Sequence, residues 1–243
     1  MLGILNQVDG SAGFYIGLSF EKFELEMIRE SVRAAWLENI CKVSPTNLNV
    51  FETIEMAEYH TKAHLLDHDN IWPKKTRILD SKFVSQFRQT SLFRRIEEEF
   101  GEVFISGEDG ICPEEVYWRL VRPDSPRDVG PLHADEWFWR LGSWHTPEGY
   151  RRLKIWISLY SEKGKNGFKY VPGSHKKEWD FGQAEKSGLV KPVIREDEKS
   201  LNPIFFESDP GDAIVFHDKL LHGGSIGGKK TRVSMECTLF VRV

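Results

Sequence analysis

Two stretches of the chain decide its fold: LKIWISLY at residues 153–160 and RVSMECTLFV at residues 232–241. In both, apolar side chains alternate with polar ones, which is the period of a β-strand that buries one face. The apolar members are Leu153, Ile155, Ile157 and Leu159 in the first stretch and Val233, Met235, Cys237 and Leu239 in the second. The opposite face is polar in both strands, so it either contacts solvent or lines a cavity.

Four more short runs have strand character and are separated by Pro, Gly and Asp. They are Val116–Val121, Phe168–Val171, Ile204–Glu207 and Ala213–His217. Six short strands at this spacing favour an antiparallel sandwich or barrel over a parallel sheet with crossover helices.

Helical spacing dominates the first 110 residues. Apolar residues three or four apart form one stripe from Leu25 to Ile40, which predicts a helix packed on one side. A second helix is predicted over roughly Val50 to Leu66, and a third begins after Asp80 and runs, with one break, to Glu99. Helices first and strands afterwards indicate an α+β fold with a mainly β core.

The bulk composition is that of one globular domain. The chain has 243 residues, of which 40% are hydrophobic and 29% charged, and its formal net charge is -4. We expect one domain over residues 1–243, with a mainly helical support region at 1–110 and a β core at 111–243. The charge balance gives no general field for nucleic acid or for an anionic membrane, and no apolar run approaches the roughly 20 residues of a membrane span.

The cysteines are few and far apart. Cys41, Cys112 and Cys237 form no CxxC pair, so neither a disulfide framework nor a thiolate zinc site is indicated. The N-terminus also lacks a charged segment followed by an apolar run. We therefore expect a cytoplasmic protein.

A small set of residues suits metal chemistry. His133 and Asp135 lie two apart, so on a strand or at its end both would point the same way, although one His-x-Asp pair also arises by chance in a chain with 8 histidines. The segment PGDAIVFHDKLLHGG, residues 210–224, contains a turn, a strand and two further candidate ligands, His217 and His222. Arg232 follows ten residues after His222 and opens the final strand.

Two histidines and one carboxylate on one face of a metal leave positions open, as non-haem iron(II) oxygenases require. An arginine is the natural partner for the far carboxylate of a dicarboxylate cosubstrate, and Ser234, on the same strand face as Arg232, can add a donor.

At these residues the sequence resembles the phytanoyl-CoA dioxygenase (PhyH) family of 2-oxoglutarate oxygenases. The resemblance covers roughly residues 115–243 and rests on His133-x-Asp135, the segment YVPGSHK at 170–176, the Gly211-Asp212 turn, His222-Gly223-Gly224 and Arg232. It implies a double-stranded β-helix, also called a jelly roll or cupin-like fold, buttressed by the N-terminal helices.

The resemblance also implies roles for single residues. His133, Asp135 and His222, rather than His217, are the expected iron ligands, and Arg232 with Ser234 is expected to anchor 2-oxoglutarate. Trp156 would lie beside the cosubstrate, and the Trp118 face of its strand would lie inside the barrel. Related halogenases have a small residue where this chain has Asp135, so a hydroxylase or desaturase is implied. Gly224 departs from the pattern, because some relatives carry a serine there.

Candidates for substrate contact follow the His-x-Asp motif. Trp139 matches a position that contacts substrate in the family, and Trp137 and Arg140 are weaker candidates. For the two tryptophans, packing in a loop core is the alternative, since aromatic side chains bury large areas. Arg140, Arg151 and Lys154 are candidates for contact with an anionic group, and for these three the alternative is an exposed basic residue.

Together these features predict an Fe(II)- and 2-oxoglutarate-dependent dioxygenase that uses O₂ to hydroxylate a small polar or anionic metabolite, with release of succinate and CO₂. The expected partner is this small molecule, with no nucleic acid and no membrane; oligomeric state and pathway leave no trace in the sequence. Two alternatives stay open: a cupin-type metal enzyme without 2-oxoglutarate, and a non-catalytic jelly-roll module that binds carbohydrate on the aromatics of 137–144.

Overall fold

The last strand of the chain runs through the middle of the largest sheet. The computed structural model describes residues 3–107, 113–186 and 189–242. Its strands are β1 Phe14–Ser19, β2 Ile78–Leu79, β3 Phe104–Ile105, β4 Val116–Val121, β5 Tyr150–Tyr160, β6 Gly167–Tyr170, β7 Phe181–Lys186, β8 Leu189–Ile194, β9 Ile204–Phe205, β10 Asp212–His217, β11 His222–Ser225 and β12 Arg232–Arg242.

Two antiparallel sheets build the β core, with a hairpin beside them. Within the described ranges, the major sheet has seven strands in the order β1-β10-β5-β12-β4-β2, and β3 pairs with β12. The minor sheet has the order β11-β6-β9, and β7 pairs with β8 alone. All pairings are antiparallel. This is the mainly β, cupin-like α+β fold that the sequence predicts.

The helices are concentrated in the first hundred residues. They are α1 Ile4–Val8, α2 Lys22–Val43, α3 Leu48–Glu52, α4 His68–Ile71, α5 Ser81–Arg88, α6 Ser91–Phe100 and α7 Asp135–Gly142, with short 3₁₀ turns between several of them. The predicted stripe of α2 is confirmed, because Leu25, Ile28, Val32, Trp36 and Ile40 are all buried. Within the described part of the chain, no helix is both long and apolar enough to cross a bilayer.

The prediction of one helix over 50–66 is wrong. The chain there forms α3, which ends at Glu52, followed by 3₁₀ turns over Met56–Thr61 and Ala63–Leu65. The guanidinium of Arg33 on α2 donates to the carbonyl oxygens of Ile54 at 2.6 Å and Glu52 at 2.7 Å. These carbonyls are therefore satisfied by a side chain instead of by a continuing helix.

The helix predicted after Asp80 is confirmed together with its break. Asp80 caps α5 by accepting a hydrogen bond from the backbone N–H of Phe83 at 2.8 Å. Thr90 caps α6 in the same way, and Gly101, at a φ of 73°, follows its last residue. The two caps divide the apolar pattern into two helices because each cap residue has an extended backbone.

The alternation of β5 and β12 is confirmed on both faces. The apolar faces of β5 and β12 belong to one buried cluster that includes α2, α5 and α6. The opposite faces point between the two sheets, where Trp156 packs with Phe168 and Phe216. The polar face of β12 is not solvated, since Arg232 and Ser234 are 2% and 0% exposed.

Some parts of the fold have no counterpart in the sequence patterns. The N-terminal region contributes β1, β2 and β3 to the major sheet, and the β7–β8 hairpin is an addition to the predicted strands. Cys112 and the predicted boundary at 110/111 lie outside the described residues, and the division into support region and core stays a prediction. Cys41 is exposed and Cys237 buried, and both are free thiols.

Candidate metal and cosubstrate site

Two histidines from different parts of the chain meet at one edge of the minor sheet. His222 is the first residue of β11, and His133 forms an antiparallel bridge with it. The backbone N–H of His133 donates to the carbonyl of His222 at 3.0 Å, and the reverse hydrogen bond is 2.9 Å long. The two rings lie 4.5 Å apart, centroid to centroid. The two glycines after His222 are also part of β11.

Asp135 completes the group. It opens α7, so the chain turns from an extended residue at 134 into a helix and brings the carboxylate back toward the histidines. Asp135 Oδ2 lies 3.3 Å from His222 Nε2. One ligand atom from each of His133, Asp135 and His222 lies within 4.8 Å of the others. The three predicted ligands therefore converge on one point.

Backbone carbonyls orient both rings for metal binding. His133 Nδ1 lies 3.0 Å from the carbonyl oxygen of Pro131, and His222 Nδ1 lies 2.9 Å from that of Leu220. A carbonyl only accepts, so Nδ1 carries the proton in each ring and Nε2 keeps its lone pair. Burial lowers the pKa of His222 to about 4, which leaves this ring neutral at physiological pH.

A cation would satisfy the one polar atom that this group leaves unbonded. Asp135 Oδ2 is buried and has no hydrogen-bond partner among the described residues. A buried carboxylate oxygen without a hydrogen bond is costly, and a divalent metal would remove that cost. Two imidazole nitrogens and one carboxylate oxygen suit iron(II) with open coordination positions. The residues present therefore fit the metal that the sequence predicts.

A second unsatisfied group lies at the start of β12. Arg232 Nε and Nη2 and Ser234 Oγ are buried without hydrogen-bond partners in the described part of the chain. The Arg232 Cζ atom lies 5.8 Å from the centre of the Trp156 ring. Burial, together with the positive charge of Arg119, lowers the pKa of Arg232 to about 9. Three buried donors without acceptors fit the carboxylate of a bound dicarboxylate.

Gly224 lies directly against this arginine. A Cβ atom at residue 224 would approach Arg232 Nη2 to 3.0 Å and Val129 Cγ1 to 3.1 Å. The serine that some relatives carry here would therefore crowd the guanidinium unless Arg232 or Val129 shifted. The departure from the family pattern leaves room for the arginine in its present position.

The predicted position of Trp118 is wrong. Trp118 pairs with Met235 in the β4–β12 register and belongs to the cluster on the helix side of the sheet, 5.1 Å from the ring of Trp72. Its neighbour Arg119 pairs with Ser234 and shares the inner face instead. Successive side chains of a β-strand point to opposite faces, so Arg119 lies inside the barrel and Trp118 packs on the helices.

The three substrate candidates lie on different sides of α7. Trp137 stacks on Phe181 of the hairpin at 4.7 Å, in a buried cluster separate from the inner one. Arg140 is 53% exposed and lies 3.7 Å from Glu136. Neither belongs to the metal group, and their roles in substrate binding stay predictions.

Trp139 shares the Asp135 face of the helix. It is 7% exposed, and its ring lies 5.7 Å from that of Phe240 on the inner face of β12. Its role in substrate binding stays a prediction. Phe138, which the sequence analysis did not select, lies closer to the metal group, with its ring 5.4 Å from that of His133.

Lys154 was a weaker candidate for contact with an anionic group, and the other charged side chains of the inner wall were not selected from the sequence. Lys154 Nζ lies 3.7 Å from Asp135 Oδ2 and donates to Thr238 Oγ1 at 2.9 Å. Arg119 Nη2 donates to Glu236 Oε1 at 2.9 Å. The signal was present, because the alternation of 153–160 and 232–241 assigns Lys154, Glu236 and Thr238 to one polar face.

The other histidines lie away from this group. The rings of His217 and His175 are 5.2 Å apart, and His217 Nδ1 lies 3.0 Å from Asp218 Oδ1. A second set, His68, Asp69 and Asp128, also has ligand atoms within 4.8 Å of one another. There Asp128 already accepts two hydrogen bonds from the Arg122 side chain, at 2.9 and 2.7 Å, so this set forms an ion-pair network.

Comparisons with known proteins agree with this site. A family model described as "Phytanoyl-CoA dioxygenase (PhyH)" matches residues 55–229. The match begins earlier than the resemblance over 115–243 and ends before Arg232. No curated protein sequence matches the chain.

Solved structures show the same fold at low identity. EctD from S. alaskensis with bound Fe is 15% identical, with a TM-score of 0.60 over 99% of this chain and 77% of that one. EvdO2 from Micromonospora carbonacea var. aurantiaca, complexed with 2-oxoglutarate, is 14% identical, with a TM-score of 0.55 over 96% and 89% of the two chains. The apo non-heme monooxygenase ThoJ is 12% identical, with a TM-score of 0.58 over 95% and 75%.

Proposed function

The chain belongs to the phytanoyl-CoA dioxygenase family, whose members are Fe(II)- and 2-oxoglutarate-dependent dioxygenases, and we propose that it hydroxylates a small polar or anionic metabolite. Iron(II), with 2-oxoglutarate and O₂, supplies the oxidising power for attack on a C–H bond, and the cosubstrate leaves as succinate and CO₂. The observation that carries the proposal is the convergence of His133, Asp135 and His222 beside the unsatisfied donors of Arg232 and Ser234.

In this proposal each side chain has one task. The Nε2 atoms of His133 and His222 and a carboxylate oxygen of Asp135 hold the metal, and the carbonyls of Pro131 and Leu220 fix the two rings. Arg232 and Ser234 bind the far carboxylate of 2-oxoglutarate, beside Trp156. Phe168 stacks on His222 at 5.2 Å and, with Phe216 at 4.7 Å, keeps water from that side of the ring.

The cavity wall supports a polar substrate. Arg119, Lys154 and Glu236 stand on inner strand faces, and their side chains are 41%, 16% and 26% exposed. A long acyl chain would bury these charged groups against hydrocarbon, and removing an ion pair from water costs free energy even when the pair is intact. A small metabolite with polar or anionic groups can bind them instead.

The two alternatives from the sequence have less support. A carbohydrate-binding surface needs exposed aromatic faces, whereas Trp137 and Trp139 are 3% and 7% exposed. A cupin-type enzyme without 2-oxoglutarate has no use for the buried donors of Arg232 and Ser234. The cytoplasm remains the proposed compartment, supported by the free thiols of Cys41 and Cys237.

Succinate release tests the proposal. Protein with Fe(II), O₂ and 2-oxoglutarate is screened against polar and anionic metabolites and against fatty acyl thioesters. We expect succinate formation that depends on iron and is stimulated by a member of the first group. His222→Ala should abolish it, while the control His217→Ala should retain it. Equal loss in both variants, stimulation by the thioesters alone, or no iron-dependent succinate from the unchanged protein would contradict the proposal.

A further inference from the structure

The inner wall next to the metal group carries a lysine whose carboxylate partner is also a proposed metal ligand. Lys154 lies on β5, and its ammonium is held by Thr238 Oγ1 at 2.9 Å on the adjacent strand. Asp135 is the only carboxylate within 4.0 Å of Lys154 Nζ among the described residues, at 3.7 Å. The same Oδ2 atom of Asp135 faces His222 Nε2 at 3.3 Å, on the side where a metal would bind.

The other cations of this wall have partners of their own. Arg119 bonds to Glu236 at 2.9 Å, and Arg152 bonds to Asp218 at 2.7 Å. Arg232 is assigned above to the far carboxylate of 2-oxoglutarate. When metal and cosubstrate are bound, Asp135 is shared with a dication, and the ammonium of Lys154 is left facing positive charge. A partly buried cation in that position is stabilised by a further anion.

The position of Lys154 also matches the side from which a substrate would arrive. The Arg232 end of the cavity is closed, since that side chain is 2% exposed. The wall formed by Arg119 and Glu236 is open, with side chains 41% and 26% exposed. Lys154 lies on the same inner face as Glu236. It pairs with Thr238, whereas Glu236 pairs with Trp156, two residues further along β5. An anionic group bound to this ammonium would therefore lie beside Asp135 and the metal that it holds.

We propose that Lys154 is a specificity-determining residue that binds an anionic oxygen group, a carboxylate or a phosphate, on the primary substrate beside the metal. The inference rests on the proposed function and deepens it, because it selects anionic metabolites from the wider polar class. The lysine is a point charge on a flexible stem, so it suits either anion without requiring a fixed two-pronged geometry. The bound anion supplies the negative charge that Lys154 loses when Asp135 is shared with the metal.

The test measures binding without turnover. Protein is loaded anaerobically with Fe(II) and 2-oxoglutarate, and the visible charge-transfer band is followed during titration with acetate, methyl phosphate or neutral acetamide at constant ionic strength. We expect at least one anion to perturb the band saturably and acetamide to leave it unchanged. The more effective anion identifies the group. In Lys154→Met the affinity for that anion should fall roughly ten- to hundredfold, the value of one charge-assisted hydrogen bond, and Lys154→Arg should retain most of it.

Controls distinguish a failure of the role proposed for Lys154 from a failure of the proposed function. Lys163 pairs with Asp209 at 2.7 Å, and these side chains are 53% and 62% exposed, so Lys163→Met should behave like the unchanged protein. If Lys154→Met fails to form the band, Lys154→Gln, which keeps an uncharged hydrogen-bond donor, replaces it. Equal anion affinity with and without the Lys154 ammonium, or a band that neither anion perturbs, overturns the inference. Absence of the band from the unchanged protein overturns the proposed function itself.

Discussion

Replacement of Arg232 by methionine should stabilise the protein while it destroys cosubstrate binding. The guanidinium is 2% exposed, and its Nε and Nη2 atoms have no acceptor among the described residues. A buried donor without a partner costs about 1–3 kcal/mol, and more when it is charged. Methionine fills the space of the buried stem without donors to satisfy. We expect Arg232→Met to raise the free energy of unfolding by about 1–3 kcal/mol in the absence of 2-oxoglutarate.

The assay is thermal unfolding of the anaerobic, Fe(II)-loaded protein with and without 2-oxoglutarate. For a chain of this size about 1 kcal/mol corresponds to about 2–4 °C in Tm, so the variant should melt several degrees higher without the cosubstrate. At about 100 times its Kd, 2-oxoglutarate should stabilise the unchanged protein by about 2.7 kcal/mol. The variant should gain almost nothing, so its advantage should shrink or reverse.

Arg33→Met is the matched control, because Arg33 donates to backbone carbonyls in a loop of the helical region. This variant should melt lower and still respond to 2-oxoglutarate. A lower Tm for Arg232→Met without 2-oxoglutarate, or an undiminished response to it, would refute the reasoning.

Three further predictions concern other parts of the chain. Burial alone raises the pKa of Asp128, but hydrogen bonds from Arg122 and His68 hold it well below its usual range. A carboxyl group with a lowered pKa in the folded state stabilises the protein at pH values above its unfolded pKa, which is near 4. Asp128→Asn should therefore lower the urea midpoint at pH 7, and the difference should shrink below about pH 4; a difference independent of pH would count against this pairing. Burial raises the pKa of Cys237 to about 12, so this thiol should not react with iodoacetamide. In a Cys112→Ser background, mass spectrometry should detect labelling of Cys41 and none of Cys237. Rapid labelling of Cys237 would contradict its burial. Gly224→Ala should weaken 2-oxoglutarate binding severalfold in anaerobic titrations, because the new Cβ would lie 3.0 Å from Arg232 Nη2. An unchanged Kd would show that the guanidinium can shift freely.

The patterns that span a whole element were read correctly from the sequence. The alternation in 153–160 and 232–241 requires only that one face be apolar, and both faces lie where the pattern assigns them. The stripe of α2 and the cap at Asp80 succeeded for the same reason, because each depends on neighbours a few positions away. His133, Asp135 and His222 were selected by motif and resemblance, and the fold brings them together.

The failures come from contacts between distant parts of the chain. No local signal shows that Arg33 will take the carbonyls at 52 and 54 and end a helix early. Trp118 was placed inside the barrel by the resemblance, whereas its register with Met235 of β12 puts it on the face that packs on the helices. Lys154 was one of three basic candidates for contact with an anionic group, and only the fold shows that it lies beside Asp135.

An anaerobic crystal structure of the protein soaked with Fe(II) and 2-oxoglutarate tests the central claim most directly. We predict one metal bound by the Nε2 atoms of His133 and His222 and by Asp135, with a cosubstrate carboxylate on Arg232 and Ser234. A metal bound instead at His68 and Asp128, or a cosubstrate whose carboxylates both avoid Arg232, would contradict the account.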